Sequence, residues 1–483
     1  MSGVRSATVR AAAVALAALA VLVGAVQSGR PRQASSLRAS LAPSYDPNVL
    51  ARDVLAQLVA LDTTEATGST TKAAEAVAAR FLAAGFPPSD VHVVGPGGRK
   101  QNLVVRYRGT GARKPLLLLA HLDVVNARRE DWRVDPFTLL ERHGFLYGRG
   151  TTDMKDMAAA FVSNLLTLRQ EHHRPERDVV LALTADEEGG NANGVEWLLG
   201  NRRELIDASL ALTEGGGGQV HEGRYAAYTL QAAEKAYVTF EVRARGAGGH
   251  SSVPGTDNAI GRLAAALTRI TSLQFPVSLN EVTRAFFQRM ATVEGGALGR
   301  DMTALVAGAA PDPDAARRLS RLPYYNALLR TTCAITGVEG GSGENGLPQS
   351  ASALVNCRPL PGTSLAEVEG ALKRVVADSA VAVAVVERTE PAPPSPLPGE
   401  IVGAVEAVAG EMWPGVPVIP AMGPGATDGR LLRPAGIPTY GVGPFRDIED
   451  NRAHAVDERI GVKQFYEERE FLYRLIKNLT ATR

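Results

Sequence analysis

The sequence predicts an α/β fold in which a smaller α+β domain interrupts a larger one. Helical and strand-like segments alternate from Val49 onward. Short, continuous apolar runs, typical of strands covered on both faces, lie at 116–120, 179–184 and 210–213. From Glu234 the apolar residues instead recur at every second position, which indicates a half-exposed strand of a different sheet.

The larger domain is predicted to comprise residues 45–233 and 393–483. Two amphipathic helical segments, 49–61 and 74–84, are each expected to be followed by an apolar, strand-like stretch. Each of the three apolar runs ends directly in polar residues that can perform chemistry. Because ligands of open α/β sheets bind beyond the carboxyl ends of the strands, we expect these residues to meet in one crevice.

The smaller domain is predicted to comprise residues 234–392. Its elements follow a βαββαβ, ferredoxin-like order: strand 238–244, a helix from Asn258, strands 331–338 and 351–358, and a helix at 365–376. A polar helical segment at 278–322 is expected to be an insertion that enlarges this domain. The proline-rich stretch at 391–398 is the predicted exit linker.

Composition excludes several classes of partner. The 483 residues include 52 basic and 51 acidic side chains, without a long run of lysine and arginine, so no nucleic acid partner is expected. A small neutral or zwitterionic substrate suits this balance better. No segment after the N-terminal leader is apolar enough to predict a membrane span.

The N-terminus resembles a secretory leader. Arg5 and Arg10 precede an unbroken apolar run at 11–26, which is shorter than the roughly 20 residues of a spanning helix. We therefore predict a signal peptide at 1–28, a linker at 29–44, and an exported protein that is periplasmic or secreted. An uncleaved N-terminal anchor is the alternative.

The two cysteines, Cys333 and Cys357, are too few for a metal cluster or a disulfide framework. Two buried thiols are the default expectation. Both lie in predicted strands, so the alternative of a disulfide between neighbouring strands stays open, and an oxidising compartment would permit it.

A histidine and two aspartates lie where the first strand and a glycine-rich turn end. Asp123 follows His121 by two positions and could accept a hydrogen bond from the second ring nitrogen of a metal-bound imidazole. The glycine-rich stretch 148–155 delivers Asp153 directly before a helix. A structural His–Asp pair and a helix cap are the respective alternatives.

Acidic residues follow the other two strands. Glu187 and Glu188 belong to a run of three acids whose repulsion would be costly without a cation, although surface acids are the alternative. Glu214 follows the third strand, and His454 supplies a second imidazole. Three carboxylates and two imidazoles suit two zinc ions about 3.5 to 4 Å apart if one carboxylate bridges them. Glu187 is then left over as the expected general base.

These motifs, with 249–252 and 453–454, occur in the order of a known family. From about Leu50 the chain resembles the co-catalytic two-zinc metallopeptidases, which include glutamate carboxypeptidase, carboxypeptidase S, aminoacylase and succinyl-diaminopimelate desuccinylase. In appearance it is most similar to carboxypeptidase S and secreted N-acyl amino acid hydrolases. The resemblance implies a zinc-peptidase catalytic domain with a central mixed β-sheet flanked by helices, interrupted by a lid that can form a homodimer.

The resemblance also implies a ligand set for the two zinc ions, which Co²⁺ or Mn²⁺ can replace. One ion is implied to bind His121, Asp153 and Glu214. The other is implied to bind His454, Glu188 and the same Asp153, which bridges. Glu214 stands where aminopeptidase-like relatives have Asp, which favours the carboxypeptidase and acylase branches.

Four residues are expected to contact the substrate. By resemblance, His250 of the lid hydrogen-bonds the developing oxyanion; a turn residue is the alternative. Arg358 is implied to hold a substrate carboxylate bidentately; a solvated charge is the alternative. The stretch containing Asn345, and the backbone around Gly425, are expected to line the pocket.

The predicted function is that of an exported zinc-dependent carboxypeptidase or dipeptidase, which cleaves a peptide or amide bond next to a free carboxylate with metal-activated water. An N-acyl amino acid amidase of the aminoacylase type is the alternative, and a non-catalytic metal-binding protein is a remote one. A serine hydrolase is not expected, since no Gly-x-Ser-x-Gly turn follows a strand.

Overall fold

The computed structural model of the protein describes residues 45–341 and 343–481. The predicted signal peptide at 1–28 and linker at 29–44 lie outside the described residues. Within the two described ranges, no helix combines the length and the apolar character needed to cross a membrane.

The described chain alternates between strands and helices. The strands are β1 (Val91–Val94), β2 (Asn102–Tyr107), β3 (Arg113–His121), β4 (Leu140–Arg142), β5 (Phe145–Tyr147), β6 (Arg177–Thr184), β7 (Leu210–Thr213), β8 (Gly217–His221), β9 (Arg224–Glu234), β10 (Val238–Arg245), β11 (Gly249–His250), β12 (Thr332–Gly340), β13 (Gly346–Leu347), β14 (Ser350–Arg358), β15 (Val381–Arg388), β16 (Val418–Gly423), β17 (Thr439–Gly441), β18 (Phe445–Asp447) and β19 (Arg459–Gly461). The helices are α1 (Pro47–Ala60), α2 (Thr70–Ala83), α3 (Lys155–Gln170), α4 (Gly194–Asn201), α5 (Arg203–Ile206), α6 (Ala259–Thr271), α7 (Glu281–Glu294), α8 (Gly296–Val306), α9 (Pro313–Leu319), α10 (Pro323–Leu329), α11 (Leu365–Val376), α12 (Gly399–Met412), α13 (Gly429–Leu432) and α14 (Val462–Thr480).

The main sheet has ten strands in the order β1-β2-β6-β3-β7-β17-β9-β8-β18, with β16 paired to β9. Its centre is parallel, because β3 runs parallel to both β6 and β7. Strands β1 and β2 add antiparallel pairs at one edge, so the sheet is mixed. Leu116 and Leu118 pack into one apolar cluster, and Leu117 and Leu119 into another on the opposite face. This double burial explains why β3 is a continuous apolar run, and the predicted α/β class is confirmed.

A second sheet of four antiparallel strands, in the order β12-β14-β10-β15, belongs to the segment that is predicted to be the lid. Helices α6 and α11 cover one of its faces with Leu263, Ala266 and Leu372, which share a separate apolar cluster with Phe240 of β10. Strands and helices follow one another here as β10, α6, β12, β14, α11 and β15. This is the ferredoxin-like order that the alternating pattern indicates.

The helical insertion at 278–322, expected to enlarge the smaller domain, packs instead on the main core. Phe286 and Phe287 of α7 belong to the same apolar cluster as Leu230 of β9 and Ile419 of β16. Arg289 adds a hydrogen bond to the backbone oxygen of Val418. Because the buried residues of α7 recur at helical spacing between polar ones, the segment looks polar by composition although one face is apolar.

Cys333 and Cys357 form a disulfide, so the default expectation of two buried thiols is wrong. The two residues are direct partners in the register of β12 and β14. Directly opposed side chains of neighbouring antiparallel strands lie close enough for their sulfur atoms to bond. The disulfide ties β12 to the end of β14, next to Arg358.

Candidate metal centre

Three neighbouring strands deliver acidic and histidine side chains to one edge of the main sheet. His121 is the last residue of β3, Glu188 follows β6, and Glu214 follows directly on β7. Because β6, β3 and β7 are parallel neighbours, their carboxyl ends lie side by side. The potential ligand atoms of His121, Glu187 and Glu214 lie within 4.8 Å of one another, as do those of His121, Asp153 and Glu188.

Asp153 lies between two imidazoles. Its Oδ1 is 3.1 Å from Nε2 of His121, and its Oδ2 is 2.9 Å from Nε2 of His454. Asp153 reaches this position from the glycine-rich turn before α3, where Gly148 and Gly150 have positive φ angles. One carboxylate whose two oxygens face two separate imidazoles has the arrangement of a ligand that bridges two cations.

Glu214 and Glu188 each lie next to one of the two imidazoles. Oε1 of Glu214 is 3.7 Å from Nε2 of His121, and Oε1 of Glu188 is 2.9 Å from Nε2 of His454. Ligand atoms about 2.1 Å from a tetrahedral zinc ion are about 3.4 Å apart. The observed separations of 2.9 to 3.7 Å lie in the range expected for pairs of ligand atoms on one ion.

Asp123 contacts His121 through its backbone rather than its side chain. Nδ1 of His121 is 2.9 Å from the Asp123 carbonyl oxygen and 3.7 Å from Oδ1 of the carboxylate. The Asp123 carboxylate instead accepts a hydrogen bond of 2.9 Å from the backbone N–H of Glu188. The carbonyl thus orients the imidazole with Nε2 toward Asp153, while the carboxylate ties the end of β3 to the loop that carries Glu188.

The electrostatics of this edge favour a cation. Burial raises the pKa of Asp123 to about 6, and burial together with the charge of Asp153 raises the pKa of Glu214 well above its ordinary value. Hydrogen bonds to Asp153 and Glu188 raise the pKa of His454 to about 10. Clustered carboxylates therefore attract positive charge, and a nitrogen and oxygen donor set suits Zn²⁺ and similar divalent ions.

Comparison with known proteins identifies the family. The profile of peptidase family M20/M25/M40 matches residues 117–478, which is most of the chain. The chain belongs to this family. It is therefore a hydrolase of the metallopeptidase class.

Among M20 relatives, human N-fatty-acyl-amino acid synthase/hydrolase PM20D1 is 30% identical over 378 residues, which cover 76% of this chain and 74% of the relative. Carboxypeptidase S of Saccharomyces cerevisiae is 31% identical over 273 residues, which cover 53% of this chain and 46% of the relative.

Solved structures of M20 proteins share the fold. The M20 metallo-carboxypeptidase Sso-CP2 from Sulfolobus solfataricus superimposes with a TM-score of 0.68 at 18% identity, over 89% of this chain and 99% of that one. The YXEP protein of Bacillus subtilis, described as a dinuclear metal-binding peptidase, gives a TM-score of 0.56 at 12% identity, over 90% and 99%.

In this M20 chain the structure brings His250 and Asn345 together in the lid. His250 pairs with Gly346 across the short ribbon of β11 and β13, and the backbone N–H of Ser251 donates to the Asn345 carbonyl. Nδ1 of His250 is 2.7 Å from Oγ of Ser252. Within the described residues, no hydrogen bond or ion pair joins this ribbon to the five candidate metal ligands.

Arg358 is half-buried at the end of β14. Its Nε donates to Oδ1 of Asn356 at 3.2 Å, and its guanidinium lies 4.7 Å from the centre of the Tyr237 ring. None of the described carboxylates forms an ion pair with it. Burial lowers the pKa of Arg358. The side chain is therefore a partly desolvated cation whose charge is not balanced by a described acid.

The loop containing Gly425 is held by a buried acid. Oε2 of Glu234, the last residue of β9, accepts hydrogen bonds from the backbone N–H and the hydroxyl of Thr427, at 2.9 and 2.8 Å. Its Oε1 pairs with Arg433 at 2.6 Å. A side chain at Gly425 itself would meet no atom within 4 Å. Glu234 therefore fixes the loop at Thr427, whereas the space around Gly425 is empty.

Two buried residues next to the candidate ligands were not expected from the sequence. Lys155 donates from Nζ to the carbonyls of Leu58 and Leu61, at 2.9 and 3.0 Å, and its burial lowers its pKa to about 7. Asp428 accepts from Asn193 at 2.7 Å, and its charge contributes to raising the pKa of Glu187. Their positions in the glycine-rich stretches 148–155 and 423–429 were the available signal.

Proposed function

We propose that this M20 chain uses two zinc ions to hydrolyse an amide bond next to a free carboxylate. The observation that carries the proposal is Asp153, whose two oxygens face His121 and His454 at 3.1 and 2.9 Å. In this proposal one ion binds His121, Asp153 and Glu214, and the other binds His454, Glu188 and Asp153. The dinuclear metal-binding peptidase of Bacillus subtilis, which shares the fold, supports the same reading.

Bound zinc ions would supply an activated water and polarise the scissile carbonyl. Glu187 accepts the proton of the attacking water and returns it to the leaving nitrogen. In the metal-free protein, burial together with the charges of Glu214 and Asp428 raises the pKa of Glu187. His250 donates a hydrogen bond to the developing oxyanion when the lid lies over the substrate.

Arg358 is proposed to select substrates with a free carboxylate. A planar guanidinium binds a carboxylate through two parallel hydrogen bonds. Arg358 has Asn356 and the Tyr237 ring as described neighbours. Lys235 is a second cation nearby, and burial together with the charge of Arg358 lowers its pKa to about 7. An anionic substrate group would balance this positive charge. Asn345 and the backbone around Gly425 are proposed to line the same pocket.

An N-acyl amino acid is the second candidate substrate. Its amide bond also lies next to a free carboxylate, so the same centre and Arg358 would serve. The observation that favours it is the 30% identity with human N-fatty-acyl-amino acid synthase/hydrolase PM20D1 over 76% of the chain. Carboxypeptidase S, at 31% over 53% of the chain, favours the peptide instead.

A matched substrate panel tests the proposal. Dipeptides, their C-terminal amides and N-acyl amino acids with the same leaving residue would be hydrolysed by zinc-loaded enzyme and by enzyme treated with a chelator. We expect zinc-dependent turnover of the free acids and little of the amides. Faster turnover of N-acyl amino acids than of dipeptides would assign the amidase function. Equal turnover of acids and amides would contradict the carboxylate requirement.

We also propose that the protein is exported, through the leader predicted at 1–28. The disulfide between Cys333 and Cys357 supports an oxidising compartment, since disulfides persist there and are rare in the cytosol. N-terminal sequencing of the protein recovered from the medium or periplasm should begin after residue 25 or 28. Recovery of the intact N-terminus in the membrane fraction would indicate an uncleaved anchor instead.

A further inference from the structure

A buried ion pair connects the two loops that carry Asp153 and His454. Glu458 is 0% exposed. Its Oε1 accepts hydrogen bonds from the backbone N–H and the hydroxyl of Thr152, at 2.8 and 2.9 Å, and from the backbone N–H of Asp153 at 3.3 Å. One carboxylate oxygen therefore holds the backbone that positions Asp153.

The other oxygen of Glu458 binds Arg149. The distance from the guanidinium to Oε2 is 2.6 Å, and Arg149 is only 2% exposed. The guanidinium also lies 4.9 Å from the centre of the Trp132 ring and donates to the backbone oxygen of His454 at 3.4 Å. Arg149 thus links the glycine-rich turn before α3 to the loop of His454.

The two imidazoles differ in how firmly the fold holds them. His121 is buried at the end of a central strand, whereas the side chain of His454 is 51% exposed. The φ angle of His454 is 65°, in the left-handed region that residues other than glycine rarely adopt. The hydrogen bond from Arg149 to the backbone oxygen of His454 is one contact that holds this loop.

Stability alone does not account for this pair. Two buried charges lose hydration, so replacing such a pair with apolar residues is often neutral or stabilising. We propose that Arg149 and Glu458 are positioning residues. In this proposal they set the separation of Asp153 and His454, and thereby the affinity for the second of two metal ions. The inference rests on the proposed function, because it needs a dinuclear centre.

Zinc titration against a competing chelator tests this inference without using turnover. Metal-free wild-type protein should bind two equivalents. In Glu458→Gln the second equivalent should bind 10- to 100-fold more weakly, which is the usual effect of losing an outer-shell partner. The first equivalent should weaken less, because His121 and Glu214 also hold it. Arg149→Lys keeps the charge but loses the planar fork, so it should also weaken the second equivalent.

Glu400→Gln is the matched control, since Glu400 pairs with the buried Arg177 at 2.6 Å at the start of α12. It should bind both equivalents like the wild type. Turnover of Glu458→Gln should recover at high free zinc, which a folding defect would not allow. If Glu458→Gln does not fold, as judged by circular dichroism, Arg149→Lys decides the question.

The outcomes separate the inference from the proposed function. Two native-affinity equivalents in folded Glu458→Gln and Arg149→Lys would overturn the positioning role alone. A uniform loss of both equivalents in the two variants would also overturn it, because the pair would then support the whole centre. Wild-type protein that binds fewer than two equivalents would overturn the proposed function and this inference together.

Discussion

Asp153 and His454 are 301 residues apart in the sequence, yet Oδ2 of one is 2.9 Å from Nε2 of the other. The whole lid and the helices α7 to α10 lie between them in the chain. The proposed second metal position therefore exists only after both parts of the main domain have folded together. Metal binding should be linked to the stability of the entire main domain.

Removal of metal should abolish turnover and lower the unfolding temperature. Zn²⁺ should restore both, and so should Co²⁺ or Mn²⁺, since nitrogen and oxygen ligands discriminate weakly among these ions. A ligand present at 100 times its Kd stabilises the fold by about 2.7 kcal/mol. Calorimetry and activity assays with and without a chelator would measure the effects. Full turnover by metal-stripped protein would contradict the mechanism.

Glu187→Gln and Glu188→Gln should fail in different ways. Glu187→Gln should keep both metal ions and lose about 10²- to 10⁴-fold in kcat, because an amide cannot accept the proton. Glu188→Gln should lose metal, since Glu188 is the carboxylate 2.9 Å from His454. Metal analysis beside steady-state kinetics separates the two. Near-native kcat in Glu187→Gln would assign the base elsewhere.

The fold was predictable where burial leaves a pattern in the sequence. Strands β3, β6 and β7 are covered on both faces, so each is a continuous apolar run in the sequence. The end of each strand could therefore be located from the sequence. The lid strand β10 has one exposed face, and its residues alternate. The candidate ligands were predictable for the same reason, because they follow the ends of these strands.

The sequence pattern does not reveal pairings that depend on register or on distant contacts. The disulfide between Cys333 and Cys357 depends on the exact register of β12 and β14. The apolar residues of α7 predict that one face of this helix is buried, but they do not predict that the face packs on β9 and β16. The carbonyl of Asp123 takes the hydrogen-bonding position expected for its carboxylate, which depends on backbone direction at the end of β3.

Asp156→Asn should stabilise the metal-free protein more at high pH than at low pH. Burial raises the pKa of Asp156 from 3.8 to about 7, although the charge of Arg446 opposes the shift. A raised pKa means that the folded state holds a proton which the unfolded state releases near pH 4. The protonated Asp156 therefore contributes to the free energy of unfolding in full below about pH 4, and this contribution is lost as the pH rises through 7. Asparagine does not titrate, so the stability of Asp156→Asn does not fall in this way as the pH rises.

Unfolding temperatures at pH 5 and pH 8 measure the effect. The gain of Asp156→Asn over the wild type should be larger at pH 8. Glu468→Gln should behave in the same direction, because burial and the charge of Asp156 raise the pKa of Glu468. An equal difference at both pH values would contradict the titration of Asp156 in this range.

Gly425→Ala should raise KM without unfolding the protein. A methyl group at Gly425 would meet no atom within 4 Å and needs no positive φ, so the fold tolerates it. Its effect on stability should stay within about 0.5 kcal/mol. If the loop lines the substrate pocket, the added group reduces the space for substrate. Gly200→Ala, also in open space, is the control; equal KM values in both variants would place the loop outside the pocket.

Arg358→Ala should impair substrates with a free C-terminal carboxylate far more than the same substrates amidated. Loss of one member of a desolvated charge pair costs about 2 to 5 kcal/mol, or roughly thirtyfold to several-thousandfold in kcat/KM. Amidated substrates do not make the contact, so their kcat/KM should change little. Arg358→Lys should recover part of the loss, since an ammonium lacks the planar fork.

Arg243→Ala is the control for the charge change, because Arg243 lies on the neighbouring strand β10 and is already paired with Glu241. It should leave kcat/KM for both substrate types near the wild-type value. Steady-state kinetics on acid and amide pairs of one peptide provide the comparison. Equal losses for acid and amide in Arg358→Ala would mean that Arg358 supports the lid through Asn356 and the Tyr237 ring. The carboxylate requirement would then have to come from another cation, and the enzyme would be a more general amidohydrolase.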